Sequence, residues 1–241
     1  MMRKKRLDLL VHSQLSKLSR NQIASLIMQG KVTVDGKIVT KAGTMVAEDV
    51  KIICDVSEPK FVCRAGHKLE HALKEFNVDV RDKVVLDAGL STGGFTDCLL
   101  QLGAKKIYGV DVGYGQVHEK IRADQRVVIL ERTNLRNLTS LPELVDLVTL
   151  DLSFISVLKV MPAVIKLMKK DGALIVLIKP QFEADRRDVG KGGIVRDDGV
   201  HQKVIQEVTR GIEAYGFTCQ GVIESPIRGS SGNKEFLAYF V

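Results

Sequence analysis

The sequence predicts an α/β protein in which a doubly wound, largely parallel sheet of seven strands follows a small α+β unit. Three observations carry this. From residue 63 onward, strand-sized apolar runs alternate with helical segments, the rhythm of a parallel sheet with crossover helices. The glycine-rich run from Asp87 to Asp97 follows the apolar stretch Lys83-Val84-Val85-Leu86 and opens a helical segment, the place where an open α/β sheet takes a ligand. Residues 1–60 carry 11 Lys/Arg against 6 Asp/Glu, +5 of the chain's net +7, so the small leading unit is the basic one and suits a polyanionic partner.

At 241 residues with 45% hydrophobic content, the chain can bury the core of one large and one small domain. Its longest apolar runs, such as residues 173–178, are strand-sized and far short of the ~20 residues of a membrane helix. The basic N-terminus lacks the apolar core of a signal peptide. Cys54, Cys63, Cys98 and Cys219 show no C-x-x-C spacing. Reduced thiols, a cytoplasmic location, no structural metal and no membrane partner are the expectations.

Leu7, Leu10 and Val11 fall at helical spacing; Ser19 caps a second helix over residues 20–27, and Gly30 ends it. Two short strands follow, residues 31–34 and 37–39, joined by the hairpin dipeptide Asp35-Gly36. The predicted division is residues 1–57, a linker at 58–62 around Glu58-Pro59-Lys60, and residues 63–241. Strands of the large domain are expected at 83–88, 106–111, 126–131, 145–151, 172–179, 219–225 and 235–241. The turn-rich residues 229–233 make the last two an antiparallel pair at the sheet edge.

In the glycine run, Gly89, Gly93 and Gly94 allow a sharp turn and close approach of a ligand, ahead of the free N–H groups of the next helix. Ser91 occupies the second glycine position of a dinucleotide fingerprint, so that pattern fails. Gly89 to Gly93 does fit the G-x-S-x-G of a hydrolase elbow. That needs a histidine after the last strands, and the last one, His201, precedes two of them. Acidic residues at two strand ends, Asp87 and Asp111, suit S-adenosylmethionine instead, with Asp111 accepting from the ribose hydroxyls and Asp87 near the methionine end. Ser91, Phe95 and Asn134 complete the predicted cofactor set. The loop at residues 190–197 reads either as a basic lid or as a long connection.

The order of the leading unit, with its Arg-Leu-Asp start, Ser19-Arg20 and Val34-Asp35-Gly36, resembles the alpha-L RNA-binding motif. The resemblance implies RNA contact by Arg3, Lys4, Arg6, Lys17, Arg20 and Lys31, each of which also reads as a plain exposed charge. Four further charges fall where the fold brings them together: Lys68 before the first strand, Asp151 ending the fourth, Lys179 ending the fifth and Glu235 opening the last. The blocks at residues 63–69, 151–156, 179–183 and 232–236 resemble those of the TlyA family, the hemolysin A-like branch of FtsJ-type ribose 2′-O-methyltransferases. The resemblance implies a Rossmann-like S-adenosylmethionine-dependent methyltransferase fold, ribosomal RNA as substrate, modification at cytidine, and Lys68, Asp151, Lys179 and Glu235 as the catalytic set. Arg64, which the resemblance adds to the RNA contacts, keeps register before Lys68, although Cys63-Arg64-Ala65-Gly66 replaces the family's usual Ser-Arg-Gly-Gly. Chemically, a sulfonium methyl is already activated, so the protein must align a hydroxyl and take its proton. Lys179 is read as the base, with Asp151 and Lys68 orienting it and Glu235 holding either the ribose hydroxyl or Lys68. An RNA base methyltransferase and a non-catalytic RNA-binding protein are the competing readings. A pore-forming hemolysin is disfavoured for want of membrane-length helices or alternating barrel strands.

Overall fold

The computed structural model describes residues 4–28, 30–56, 59–229 and 231–241, and it divides into two units, Met1–Pro59 and Lys60–Val241. Arg3 and Glu58 lie outside the described residues.

In the first unit, strand β1 (Lys4–Arg6) leads into α1 (Leu7–Gln14) and α2 (Arg20–Met28), followed by β2 (Val32–Val34), β3 (Lys37–Ile38), β4 (Met45–Ala47) and β5 (Ile52–Cys54). Helix α2 starts on a reciprocal cap: Gln22 N–H donates to Ser19 Oγ at 3.3 Å, and Ser19 N–H donates to Gln22 Oε1 at 2.8 Å. Positive φ at Asp35 (49°) and Gly36 (77°) closes the β2–β3 hairpin in a primed turn. Leu7, Val11, Ile23, Ile27 and Val32 form a small core. Strands β1, β4 and β5 are absent from the sequence-based expectation. Each has three residues, and β1 is wholly exposed, so no periodicity marks them.

The second unit runs α3 (Ala65–Glu75), β6 (Val84–Ala88), α4 (Gly94–Gln101), β7 (Lys106–Val110), α5 (Glu119–Arg122), β8 (Val127–Leu130), β9 (Val145–Leu150), α6 (Met161–Leu167), β10 (Met168–Ile178), α7 (Pro180–Glu183), α8 (Asp198–Glu213), β11 (Cys219–Glu224) and β12 (Phe236–Phe240). The seven-stranded sheet has the order β11-β12-β10-β9-β6-β7-β8. All neighbours are parallel except β12, which runs antiparallel to both β10 and β11. The central strands are buried on both faces, which is why they read as mostly apolar runs rather than as apolar–polar alternation, with Asp87 in β6 and Asp146 and Thr149 in β9 as the polar exceptions. Strand β10 starts four residues earlier than expected, because Met168 pairs with Val145 before a register shift that ends at Ala173.

The predicted linker is corrected at its second half. Phe61 is buried beneath Gly66, where a Cβ would meet its ring at 2.4 Å, and Val62 N–H donates to Asp97 Oδ2 at 2.8 Å. These residues are packed parts of the second unit. Among the described residues, no helix is long and apolar enough to cross a membrane.

Candidate active site

Glycine chemistry sets the shape of the carboxyl edge of the sheet. Gly89 (φ 91°) turns the chain out of β6 directly against β9, and a Cβ there would lie 2.2 Å from the Asp151 carbonyl oxygen. The return bonds Gly89 N–H to Val110 O (2.8 Å) and Asp151 N–H to Ala88 O (2.9 Å) lock the three strand ends together. Gly94 brings the first turn of α4 onto that of α3: a Cβ would meet Cys63 Sγ at 2.4 Å and Gly66 N at 3.0 Å. Gly93 (φ 98°) packs in the same way against Ile121, 2.8 Å from a Cβ. The run is therefore glycine-rich chiefly because protein approaches it.

Beyond this edge lies a cavity of about 470 Å³ lined by Gly89, Ser91, Asp111, Val112, Asn134 and Asp151, among others. Asp111 is held from both sides, by Ser91 N–H on Oδ2 and Gly113 N–H on Oδ1, each at 2.7 Å. Asn134 caps a short 3₁₀ turn by accepting from Arg136 N–H at 3.1 Å. Gly93, Gly94, Phe95 and Asp87, all assigned to the cofactor from sequence, do not line this cavity. Phe95 belongs to the core. Asp87 is fully buried, its carboxylate taking the Thr96 hydroxyl at 2.6 Å and the Thr149 hydroxyl at 3.0 Å. Burial pushes this carboxyl up to about 6; the two hydroxyls pull it the other way, and nearby Asp151 adds to the rise. Its position is thus beneath the turn, where it ties β6, α4 and β9 together.

The four charged residues are all buried or nearly so. Lys68 on α3 forms an ion pair with Glu235, with only 8% and 3% of the two side chains exposed. Lys179 pairs with Asp151 Oδ1 at 2.6 Å and also donates to Ser153 Oγ at 2.9 Å. Register explains the proximity of the strand ends: the last β10–β12 pair is Ile178 with Phe236, so Lys179 and Glu235 follow side by side. Of the two partners considered for Glu235, the structure gives it Lys68. Lys68 therefore bears on Glu235, whereas Asp151 and Ser153 are what hold Lys179.

Leu135, Leu152, Ser153 and Phe154 also line the cavity and are not among the residues predicted from sequence. Ser153 and Phe154 stand inside the Asp151 block, and an aromatic residue three positions after a strand-end acid was the available signal. Phe154 is 90% exposed, has φ 64°, and sits 5.0 Å from the Phe182 ring. The 190–197 loop is fastened: the buried Asn233 amide donates to Gly193 O at 2.9 Å and accepts Val195 N–H at 2.9 Å. Of the expected RNA contacts, Lys4, Lys17, Arg20 and Arg64 are exposed and Lys31 is half-buried, while Arg6 is clamped by both carboxylate oxygens of Asp8 at 3.0 and 2.7 Å.

Comparison with known proteins gives matches to both units. Residues 61–241 match the FtsJ-like methyltransferase family, and residues 5–52 match the S4 domain. The 16S/23S rRNA (cytidine-2′-O)-methyltransferase TlyA of Mycobacterium tuberculosis is 43% identical over 226 residues, covering 92% of this chain and 84% of that protein. Hemolysin A of Brachyspira hyodysenteriae is 43% identical over 240 residues, covering 98% and 99%. A solved chain from Streptococcus thermophilus, provisionally named a hemolysin, superposes with a TM-score of 0.77 at 39% identity over 100% of this chain and 89% of its own.

Proposed function

We propose that this chain, which belongs to the TlyA family of FtsJ-like methyltransferases, transfers a methyl group from S-adenosylmethionine to the ribose 2′-oxygen of a cytidine in ribosomal RNA. The observation that carries the reading is the Lys179–Asp151 pair at 2.6 Å, with Asp151 on the cavity wall and the buried Lys68–Glu235 pair opening the adjacent strand. The cavity fits the donor: Asp111 keeps lone pairs for a vicinal diol after taking two backbone N–H groups, and Val112 and Leu135 supply apolar wall. When bound, the donor supplies an electrophilic methyl on a positively charged sulfur.

The chain's own residues have the remaining work. Lys179, as the neutral amine, accepts the 2′-hydroxyl proton while the oxygen attacks in line. Asp151 orients the amine and balances the ammonium once it forms. Glu235, held by Lys68, is a fixed, buried carboxylate beside Lys179 at the same strand edge. Exposed Lys17 and Arg20 on the S4 unit give RNA a cationic surface whose contribution is electrostatic and salt-dependent.

The test is single-turnover methylation of unmodified ribosomal RNA, with the product mapped for 2′-O-methyl nucleotides. Lys179→Ala should abolish transfer while sparing cofactor binding, and Lys179→Arg should not rescue it, because a guanidinium cannot accept a proton. Methyl groups found on a base, or near-normal transfer by the arginine variant, would sink the proposal.

A further inference from the structure

We propose that Ser153 is a positioning residue which, together with Asp151, aims the Lys179 amine at the acceptor hydroxyl. The proposal rests on the reading of Lys179 as the base. A neutral amine has three positions besides its carbon: two N–H bonds and one lone pair. Asp151 Oδ1 stands 2.6 Å from Nζ and, as a carboxylate, only accepts. Ser153 Oγ stands 2.9 Å from the same nitrogen and takes a second N–H. With both N–H bonds committed, the lone pair is confined to the one remaining direction. Asp151 and Ser153 also line the cavity, so the two residues that fix the amine stand where a methyl donor would lie. With Asp151 alone, the amine turns about its last bond and its lone pair spends part of the time where Ser153 now stands.

The backbone just after Ser153 is tied down by contacts that do not involve the Lys179 side chain. The next residue, Phe154, has φ 64°, a left-handed conformation uncommon for a bulky side chain and retained only where surroundings enforce it. Those surroundings are visible. Glu183, four residues past Lys179, accepts Val157 N–H at 2.8 Å, and the Phe182 ring sits 5.0 Å from that of Phe154. The segment after β9 is thus tied twice to the segment that follows Lys179, and the strained turn presents the Ser153 hydroxyl to the amine.

The experiment compares wild type, Ser153→Ala, Ser153→Thr and Lys179→Ala in single-turnover methylation of ribosomal RNA, with S-adenosylhomocysteine affinity measured by calorimetry for each. Ser153→Ala should slow the methyl-transfer step by about tenfold or more, the scale of one missing hydrogen bond to a charged or reacting group. Cofactor affinity and the RNA concentration at half-saturation should stay near wild type. Ser153→Thr, which keeps the hydroxyl, should recover most of the rate. A wild-type rate for Ser153→Ala, a loss that appears only as weaker cofactor or RNA binding, or failure of threonine to rescue would each overturn the proposal. An active Lys179→Ala would instead overturn the reading of the base on which it rests.

Discussion

Replacing Lys68 by methionine separates what the Lys68–Glu235 pair does for the fold from what it does for the reaction. Both side chains are withdrawn from water, 8% and 3% exposed, so the single change leaves the Glu235 carboxylate buried without a countercharge. Breaking a buried pair in this way costs roughly 3–5 kcal/mol, most of it the uncompensated charge. For a unit spanning Lys60–Val241, where about 1 kcal/mol moves the melting point by ~2–4 °C, the drop should be on the order of 10 °C. The double variant Lys68→Met with Glu235→Leu removes both charges and should melt much closer to wild type, because the desolvation cost of the pair disappears with it. Its methyl transfer should nevertheless stay abolished. Thermal melts followed by circular dichroism, run beside single-turnover methylation, give both readouts. A single variant that loses less than ~1 kcal/mol would refute the reasoning, since the carboxylate would then have found water or another donor. A double variant that still transfers methyl groups would confine the pair to a structural role.

Three further outcomes are expected. Gly89→Ala sets a Cβ 2.2 Å from a main-chain oxygen that cannot rotate away, at φ 91°, so stability should fall by about 3 kcal/mol or more and cofactor binding should be lost; a melt within a degree or two of wild type would contradict the packing described. Asp87 titrates near 6 in the folded protein against an ordinary 3.8, so the folded state holds the proton more tightly, and stability present below pH 4 should decline as pH rises to about 6, by about 3 kcal/mol. Asp87→Asn should lack that decline and gain on wild type across this window in urea unfolding; a pH-independent difference between the two would refute burial as the cause. Lys17→Ala combined with Arg20→Ala should weaken RNA binding and flatten its salt dependence by roughly 0.7–0.9 in log–log slope for each phosphate that is no longer neutralised, whereas an unchanged slope would remove both from the interface.

The large sheet could be read from the sequence because its central strands are buried on both faces. Residues 173–178 are a continuous apolar run, and 84–88 and 145–150 are apolar except for Asp87, Asp146 and Thr149, so length plus flanking turns is enough to place them. The S4 unit was only half legible for the opposite reason. Ser19 and Gln22 cap α2 through bonds three residues apart, and Asp35-Gly36 closes a hairpin locally, so both leave signals in a short window. Strands β1 and β4 pair residues as distant as Lys4 and Ala47, and a three-residue exposed strand has no pattern for a window to find. The four charges were legible because each stands at a strand or helix position that topology fixes, yet their pairing was not. Whether Glu235 meets Lys68 or a substrate depends on side-chain reach across elements 167 residues apart.

The glycine run carries the more general lesson about reading a ligand site from sequence. A backbone that must come close to a phosphate or a cofactor and a backbone that must come close to another strand make the same demand, the absence of a Cβ. At Gly89 the neighbour is the Asp151 carbonyl, at Gly93 the Ile121 side chain, and at Gly94 the first turn of α3. The same ambiguity affects Asp87, because an acid ending a strand beside such a turn serves equally to bind a ligand or to join β6, α4 and β9 through Thr96 and Thr149. This packing still has a functional consequence. By drawing α3 against α4 and β9 against β6, the glycines bring Lys68 and Asp151 to the sheet edge where Glu235 and Lys179 end up side by side. Gly94→Ala should therefore disturb the Lys68–Glu235 pair through the 63–66 turn and lower both the melting point and single-turnover methyl transfer, although neither glycine nor turn contributes an atom to the pair; a wild-type melt and rate would count against this coupling.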